Sequence, residues 1–350
     1  MGFMTGSWGT YLIVLTGCLV FSGAITLGIR FATVGRSQLP VDDGDRPSTI
    51  KRSSAAIIVS FIIVVPLSKL INPLVGGAEH LGLVLIATAA LFIAGIAYEL
   101  LPLPPSWCLG VDLSGGLIVW SIGNGIELQQ QLPNYVALVL TILWFILMSS
   151  GFRLIDERDG MVPGVASLIC LSLFALAVTN GQILLATLAI ALTGSSLGFL
   201  VTQPNPARSK LGAGSASAIG FLVGFFALML YSSGDFMVSA LVPIFVCSFV
   251  LLNAVTNFLV HLFCIGNATQ SHYTSIANQL RIIGLRSPVV TLVIYLGVGV
   301  TGLLTIAMYV SDPAIGLWFA GLTVSLHAVA GILIMWKSRR CELNRNSSRL

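Results

Sequence analysis

A chain of 350 residues that is 56% apolar and only 9% charged is excluded from the ordinary soluble globules. Its net charge of +4 is too small and too scattered for a nucleic-acid partner. The six cysteines stand singly with no metal-ligand or redox spacing, and they read as small buried hydrophobes.

One apolar run after another implies helices, because a backbone in lipid has to satisfy its polar groups within its own segment. With about 20 apolar residues per crossing, spans are expected at 8–29, 54–72, 80–98, 107–126, 135–152, 162–180, 182–201, 214–232, 236–262, 289–309 and 313–336. The fourth is the weakest, interrupted by Gly115-Gly116 and by Gly123-Asn124-Gly125. The expected fold is therefore all-α: one bundle of about eleven transmembrane helices, forming a single domain over 1–350 with a basic tail at 337–350. The first ten residues carry no Lys or Arg, so the first span is expected to stay rather than be cleaved as a signal peptide.

Charge sets the expected orientation. All of the 17 Lys and Arg except Lys69 fall in the odd-to-even loops and the tail. By the positive-inside rule these are cytoplasmic, which places the N-terminus outside and the C-terminus inside. Most of the acids share those inner loops, so chemistry or binding is expected at the cytoplasmic face.

Taken in order, the inner loops carry the candidates. The first, Leu39 to Arg52, has Asp42, Asp43 and Asp45 for a hard cation and Arg46, Lys51 and Arg52 for phosphates; a merely solvated loop explains it as well. In the second, Asp112 lies in an apolar stretch beside the interfacial Trp107, which marks either a functional acid or the cap of a helix starting near Gly115. The third, Phe152-Arg-Leu-Ile-Asp-Glu-Arg-Asp-Gly-Met161, is the most charged stretch of the chain. Asp156 and Asp159, three apart, are expected on one side of a helical turn, where they suit a divalent cation and a phosphate. The alternative is a hydrophilic connection held by its arginines. The fourth loop, Gln203 to Ser215, feeds a helix start with Arg208 and Lys210 nearby. It reads as a phosphate cradle or as small residues packing on a neighbour. The fifth, Gly266 to Pro288, holds His272, Arg281 and Arg286 and has the length to cover a ligand.

The order and spacing of these loops resemble the polyprenyl-phosphate N-acetylhexosamine-1-phosphate transferases, often called glycosyltransferase family four, from Val41 to about Leu285. The family pattern NxxNxxDGxDGL falls on Ser150 to Met161 and keeps both Asp and the last Gly. PA(K/R)xFMGDxGS falls on Pro206 to Ala216, and VDxPxxR resembles Val41-Asp42 through Arg46, one residue short. GxxDDL resembles Leu109-Gly-Val-Asp-Leu113. The departures are specific. The Asp-Asp pair becomes Val111-Asp112, both Asn of the third loop become Ser150 and Arg153, and the acid that holds magnesium in the family is Ala213. The His-rich motif of the fifth loop falls on Ser275 to Asn278, with His272 three residues early.

What the resemblance implies is a phospho-sugar transferase of the bacterial inner membrane. A polyprenyl phosphate attacks the β-phosphate of a UDP-sugar, releases UMP, and starts a cell-surface glycan. Asp112, Asp156 and Asp159 are the expected catalytic residues, with Asp156 and Asp159 as ligands of Mg2+. Asp42, Arg46, Arg153, Arg208 and His272 are expected to bind substrate, and a homodimer is compatible with the reading. The alternatives are an inactive member that binds or partners an active one and, last, a transporter.

Overall fold

The computed structural model describes residues 2–34, 54–71, 81–101, 103–104, 106–122, 133–156, 160–202, 211–230, 236–263 and 275–311, with parts of 315–325. Among these are twelve α-helices and no strand. They are α1 (Gly2–Val34), α2 (Ala55–Ile71), α3 (Leu81–Leu100), α4 (Ser106–Ser121), α5 (Asn134–Ile155), α6 (Met161–Thr179), α7 (Ile183–Thr202), α8 (Ala213–Met229), α9 (Phe236–Val246), α10 (Ser248–Phe263), α11 (Ile276–Ile282) and α12 (Ser287–Val310). Six helices contain stretches long and apolar enough to cross a membrane: Trp8–Ile29, Leu81–Leu100, Asn134–Ile155, Met161–Thr179, Ile183–Thr202 and Ser287–Val310. The protein is an all-helical, multi-pass membrane protein.

Lipid is as apolar as leucine, so hydrophobicity does not choose which faces meet; close packing of small residues does. Helix α7 lies inside the bundle, buried from Leu185 to Ser196 almost without interruption, and α1, α2 and α6 pack around it. A β-carbon on Gly194 would come within 2.5 Å of the Leu15 carbonyl, and one on Gly198 would clash with Leu19. These two glycines, four apart, let α1 meet α7 backbone to backbone. Ser22 Oγ donates to the Ser195 carbonyl at 2.7 Å, and Ser60 Oγ to Ser195 Oγ at 3.0 Å, tying α1 and α2 to α7.

Helix α8 is the second inner element, wedged between α3 and α5. Gly95 of α3 faces Gly214 of α8 so closely that any side chain on either would strike the other helix's backbone. On the opposite flank, a β-carbon on Gly220 would lie 2.8 Å from the Met148 carbonyl of α5. Trp144 Nε1 donates to the Gly224 carbonyl at 3.1 Å farther along the same seam. The start of α8 is therefore held against the last turns of α3 and α5.

Three elements differ from the sequence expectation. Helix α4 runs straight through Gly115-Gly116, which do not interrupt it. They are contact points, since a β-carbon on Gly116 would sit 3.1 Å from Ile142 Cα. Asp112 is accordingly mid-helix and caps nothing. The ninth span divides into α9 and α10 at Cys247, while Pro243 stands inside α9. The fifth loop contains a seven-residue helix, α11, whose N-cap Ser275 accepts the Ala277 N–H at 3.2 Å. Gly123, Asn124 and Gly125, and almost all of the eleventh span and the basic tail, lie outside the described residues.

Candidate active site at the start of helix α8

Helix α5 ends at Ile155, and Asp156 leaves the helix with ψ 61° as its C-cap. Asp156 is therefore outside the helix, and Asp159, expected with it on one helical turn, lies outside the described residues. Helix α6 begins only at Met161, after Gly160 in a left-handed conformation at φ 71°, which glycine adopts without strain. The Asp156 carboxylate turns toward the start of α8. It accepts the Leu211 N–H on Oδ1 at 2.6 Å and the Gly212 N–H on Oδ2 at 2.7 Å.

A second carboxylate reaches the same place. Glu99, in the last turn of α3, accepts the Ala213 N–H through Oε1. Three successive backbone amides at the start of α8 thus point at two acids from two other helices. Amides at a helix start are unsatisfied within the helix and carry the positive end of its dipole. The stretch from Gln203 to Ser215 reads in sequence as a phosphate cradle or as small residues packing on a neighbour; at its described end the chain's own carboxylates take these amides, and Gly214 packs on α3. Gly212 has φ 110°, and a β-carbon there would stand 2.6 Å from Glu99 Oε1, so only glycine leaves room for this arrangement.

Glu99 was missed by the sequence reading, yet a signal existed. The GxxDDL pattern fits Gly95-Ile-Ala-Tyr-Glu-Leu100 at least as well as Leu109 to Leu113, keeping the glycine, the second acid and the leucine. In the tertiary structure the acid at this earlier position, Glu99, reaches the same helix start as Asp156.

Asp112 has a different environment. It is 1% exposed, and both its oxygens are engaged by Arg153. Arg153 Nη1 donates to Asp112 Oδ1 at 3.0 Å and to Ser217 Oγ at 2.6 Å. Its Nη2 donates to Asp112 Oδ2 at 2.6 Å and to Ser150 Oγ at 2.9 Å. A planar guanidinium matches a carboxylate in this two-pronged way, and the two hydroxyls take two further N–H groups. The pair joins α4, α5 and α8. Four hydrogen bonds from its two terminal nitrogens are thus made within the protein, and Asp112 is the counter-ion of Arg153.

Of the other expected site residues, Asp42, Arg46, Asp159, Arg208 and His272 lie outside the described residues. Among the described residues no cluster of three or more His, Cys, Asp or Glu forms a metal-binding group. Position 213 offers a methyl group, Asp112 is spent on Arg153, and Asp156 and Glu99 hold backbone amides. The described residues do not by themselves fit a magnesium ion, which needs several oxygen ligands in near-octahedral array.

Residues 81–231 match the model of glycosyl transferase family 4. Over 91 residues, 26% of this chain and 29% of the relative, the sequence is 37% identical to a phospho-N-acetylmuramoyl-pentapeptide-transferase of Moorella thermoacetica. It is 27% identical over 170 residues to a probable undecaprenyl-phosphate N-acetylglucosaminyl 1-phosphate transferase of Bacillus subtilis, covering 47% of this chain and 46% of that one. A phospho-N-acetylmuramoyl-pentapeptide-transferase of Bacillus cytotoxicus aligns at 27% identity over 192 residues, 48% of this chain and 59% of the relative. The matches thus span from about a quarter to somewhat over half of these relatives' lengths. The matched segment contains Glu99, Asp112, Arg153, Asp156 and the start of α8, and over that segment the chain is similar to the glycosyl transferase family 4 superfamily.

Proposed function

We propose that this protein transfers an N-acetylhexosamine-1-phosphate from a UDP-sugar to a polyprenyl phosphate at the cytoplasmic face of a bacterial inner membrane, initiating a cell-surface glycan. The observation that carries the reading is the meeting of Asp156 and Glu99 at the three amides that open α8, inside the family-matched segment. An oxygen of the lipid phosphate forms a bond to the β-phosphorus, the bond from that phosphorus to the bridging oxygen breaks, and UMP leaves with that oxygen. The lipid phosphate is largely ionised near neutrality, its second pKa being about 6, so no strong base is required. Bringing two anions together is the main barrier.

In this reading Asp156 and Glu99 preorganise the start of α8 and, with Asp159 of the same acid loop, line the site. Asp42, Arg46, Arg208 and His272 come to it from the first, fourth and fifth loops, and their cationic members hold phosphates. Relatives of this type generally use Mg2+. Here its binding would need acids beyond the described ones, so no step is routed through it. We further propose eleven spans with the N-terminus outside, in keeping with the basic inner loops, and assembly as a homodimer.

A second reading has its own observation. Ala213 provides no carboxylate where the family has one, and the nearby acids are bonded to the chain itself. An inactive member that binds lipid phosphate or nucleotide sugar would look like this.

The deciding experiment measures UMP release from purified protein given undecaprenyl phosphate, magnesium and a panel of UDP-N-acetylhexosamines. The Asp156→Asn, Glu99→Gln and Ala213→Asp variants run in parallel. Release by the native chain that falls by about 10²–10³ in Asp156→Asn supports the transferase. Release that starts only in Ala213→Asp, or in none of the four, favours the inactive member.

A further inference from the structure

The fifth inner loop contains α11, which at seven residues is too short to hold by its own propensity. It is anchored at both ends. Its first N–H, on Ile276, donates to Oδ1 of Asn253 on α10 at 3.2 Å, while the Ala277 N–H goes to the N-cap Ser275. At the far end Gly284 turns the chain with φ 99°, and Arg281 Nη2 donates to Ser287 Oγ at 3.2 Å, where α12 begins. Ile276, Ala277 and Leu280 are buried between these ties. Helix α11 is thus a strut between α10 and α12.

Those two helices hold the two ends of the loop that starts at Asp156. On one side, α10 lies against the last turns of α5: a β-carbon on Gly151 would stand 2.6 Å from Val250 and 3.4 Å from Ala254. Asp156 is the C-cap of that same α5. On the other side, Tyr295 Oη of α12 donates to the carbonyl of Gly160, the N-cap of α6, at 3.0 Å. The spacing of α10 and α12 therefore sets where the loop leaves α5 and where it enters α6. Asn253 is the side chain that ties the strut to α10.

This carboxamide costs stability where it stands. Asn253 is 1% exposed and its Nδ2 has no hydrogen-bond partner, nor has Oδ1 of Asn257 one turn on. A buried amide left half-satisfied in an apolar helix is destabilising, and a leucine there would carry no such penalty. What Asn253 contributes is a bond to α11, not a better-packed bundle.

We infer that Asn253 is a positioning residue for Asp156, acting through α11. By holding Ile276 it fixes α10 relative to α12, and with them the exit from α5 where the Asp156 carboxylate takes the Leu211 and Gly212 amides. The consequence for turnover rests on the transferase reading; the positioning does not.

The test is hydrogen exchange of the full chain in nanodiscs, with amides resolved singly by fragmentation in the mass spectrometer. In Asn253→Leu the Ile276 amide should exchange about tenfold faster, the weight of one hydrogen bond. The Leu211 and Gly212 amides should speed up with it, while the thermal midpoint stays at the native value or above. Asn253→Asp keeps the acceptor and should restore slow exchange at all three. Asn257→Leu removes a carboxamide with no bond to α11 among the described residues and should exchange like the native chain. Asn253→Ala repeats the measurement should the leucine variant not fold. Native exchange at Ile276 in a folded variant, faster exchange there with Leu211 and Gly212 unmoved, or no rescue by Asn253→Asp overturns the inference. UMP release, read on the same proteins, should fall by about tenfold in Asn253→Leu, again one hydrogen bond, and recover in Asn253→Asp. A native chain that releases none retires the transferase reading, and the exchange data still decide the positioning.

Discussion

Arg153 and Asp112 face each other as a two-pronged ion pair, 2.6 Å at its shorter contact, with the carboxylate fully enclosed. The pair couples the middle of α4 to the last turn of α5, three residues before Asp156. It therefore bears on the site through position, since a cation in the last turn of α5 also suits the negative end of that helix.

Breaking it from one side strands a buried charge, which typically costs about 3–5 kcal/mol. Asp112→Ala and Arg153→Ala should each lower the thermal midpoint of the detergent-solubilised protein sharply. The apolar double replacement Asp112→Leu/Arg153→Met should recover most of the loss, because buried pairs are often replaceable by well-packed apolar groups. A double variant as unstable as the sum of the two singles would refute the pairing.

Asp156→Asn separates stability from chemistry. The amide keeps one acceptor for the Leu211 or Gly212 N–H and turns a donor toward the other, so a capping-scale loss of about 0.5–2 kcal/mol is expected. UMP release, in contrast, should fall by about 10²–10³. Thermal melts and the release assay on the same preparation check both; a melt unchanged from native would mean that Asp156 does not hold the start of α8.

The approach of Gly95 to Gly214 predicts that Gly95→Ala forces α3 and α8 apart. Overpacking of this kind costs about 1–3 kcal/mol. Since Glu99 rides one turn beyond Gly95, its contact with the Ala213 amide should loosen too, and activity should drop along with stability. Gly82→Ala, in the same helix with nothing within 4 Å of the new methyl, is the control and should melt like the native protein or slightly above it.

Gly198→Leu should displace α1 from α7, because the new side chain would enter the backbone of Leu19. Overpacking of this kind costs about 1–3 kcal/mol, so the thermal midpoint of Gly198→Leu should fall, and a melt unchanged from native would refute the backbone-to-backbone contact of α1 and α7.

Much of the molecule could be read from residue order alone. The apolar runs fix helices because lipid supplies no hydrogen-bond partners, and most observed helices begin and end within a few residues of the expected spans. The loop that begins at Asp156 stands out in the sequence by its charge density. The division of the ninth span at Cys247 was hidden by its unbroken apolar length.

Which acids share a site was decided only in three dimensions. Asp112 and Glu99 both sit near a membrane boundary in the same stretch of chain, and pattern matching preferred Asp112. Packing places them apart: the glycines at 95 and 214 draw α3 onto α8 and deliver Glu99 to the helix start, while Asp112 faces α5 and pairs with Arg153. Hydropathy reports whether a segment enters the membrane, since that depends on the summed transfer of its own side chains. It does not report which faces meet, since that depends on the close fit of small residues between helices distant in sequence.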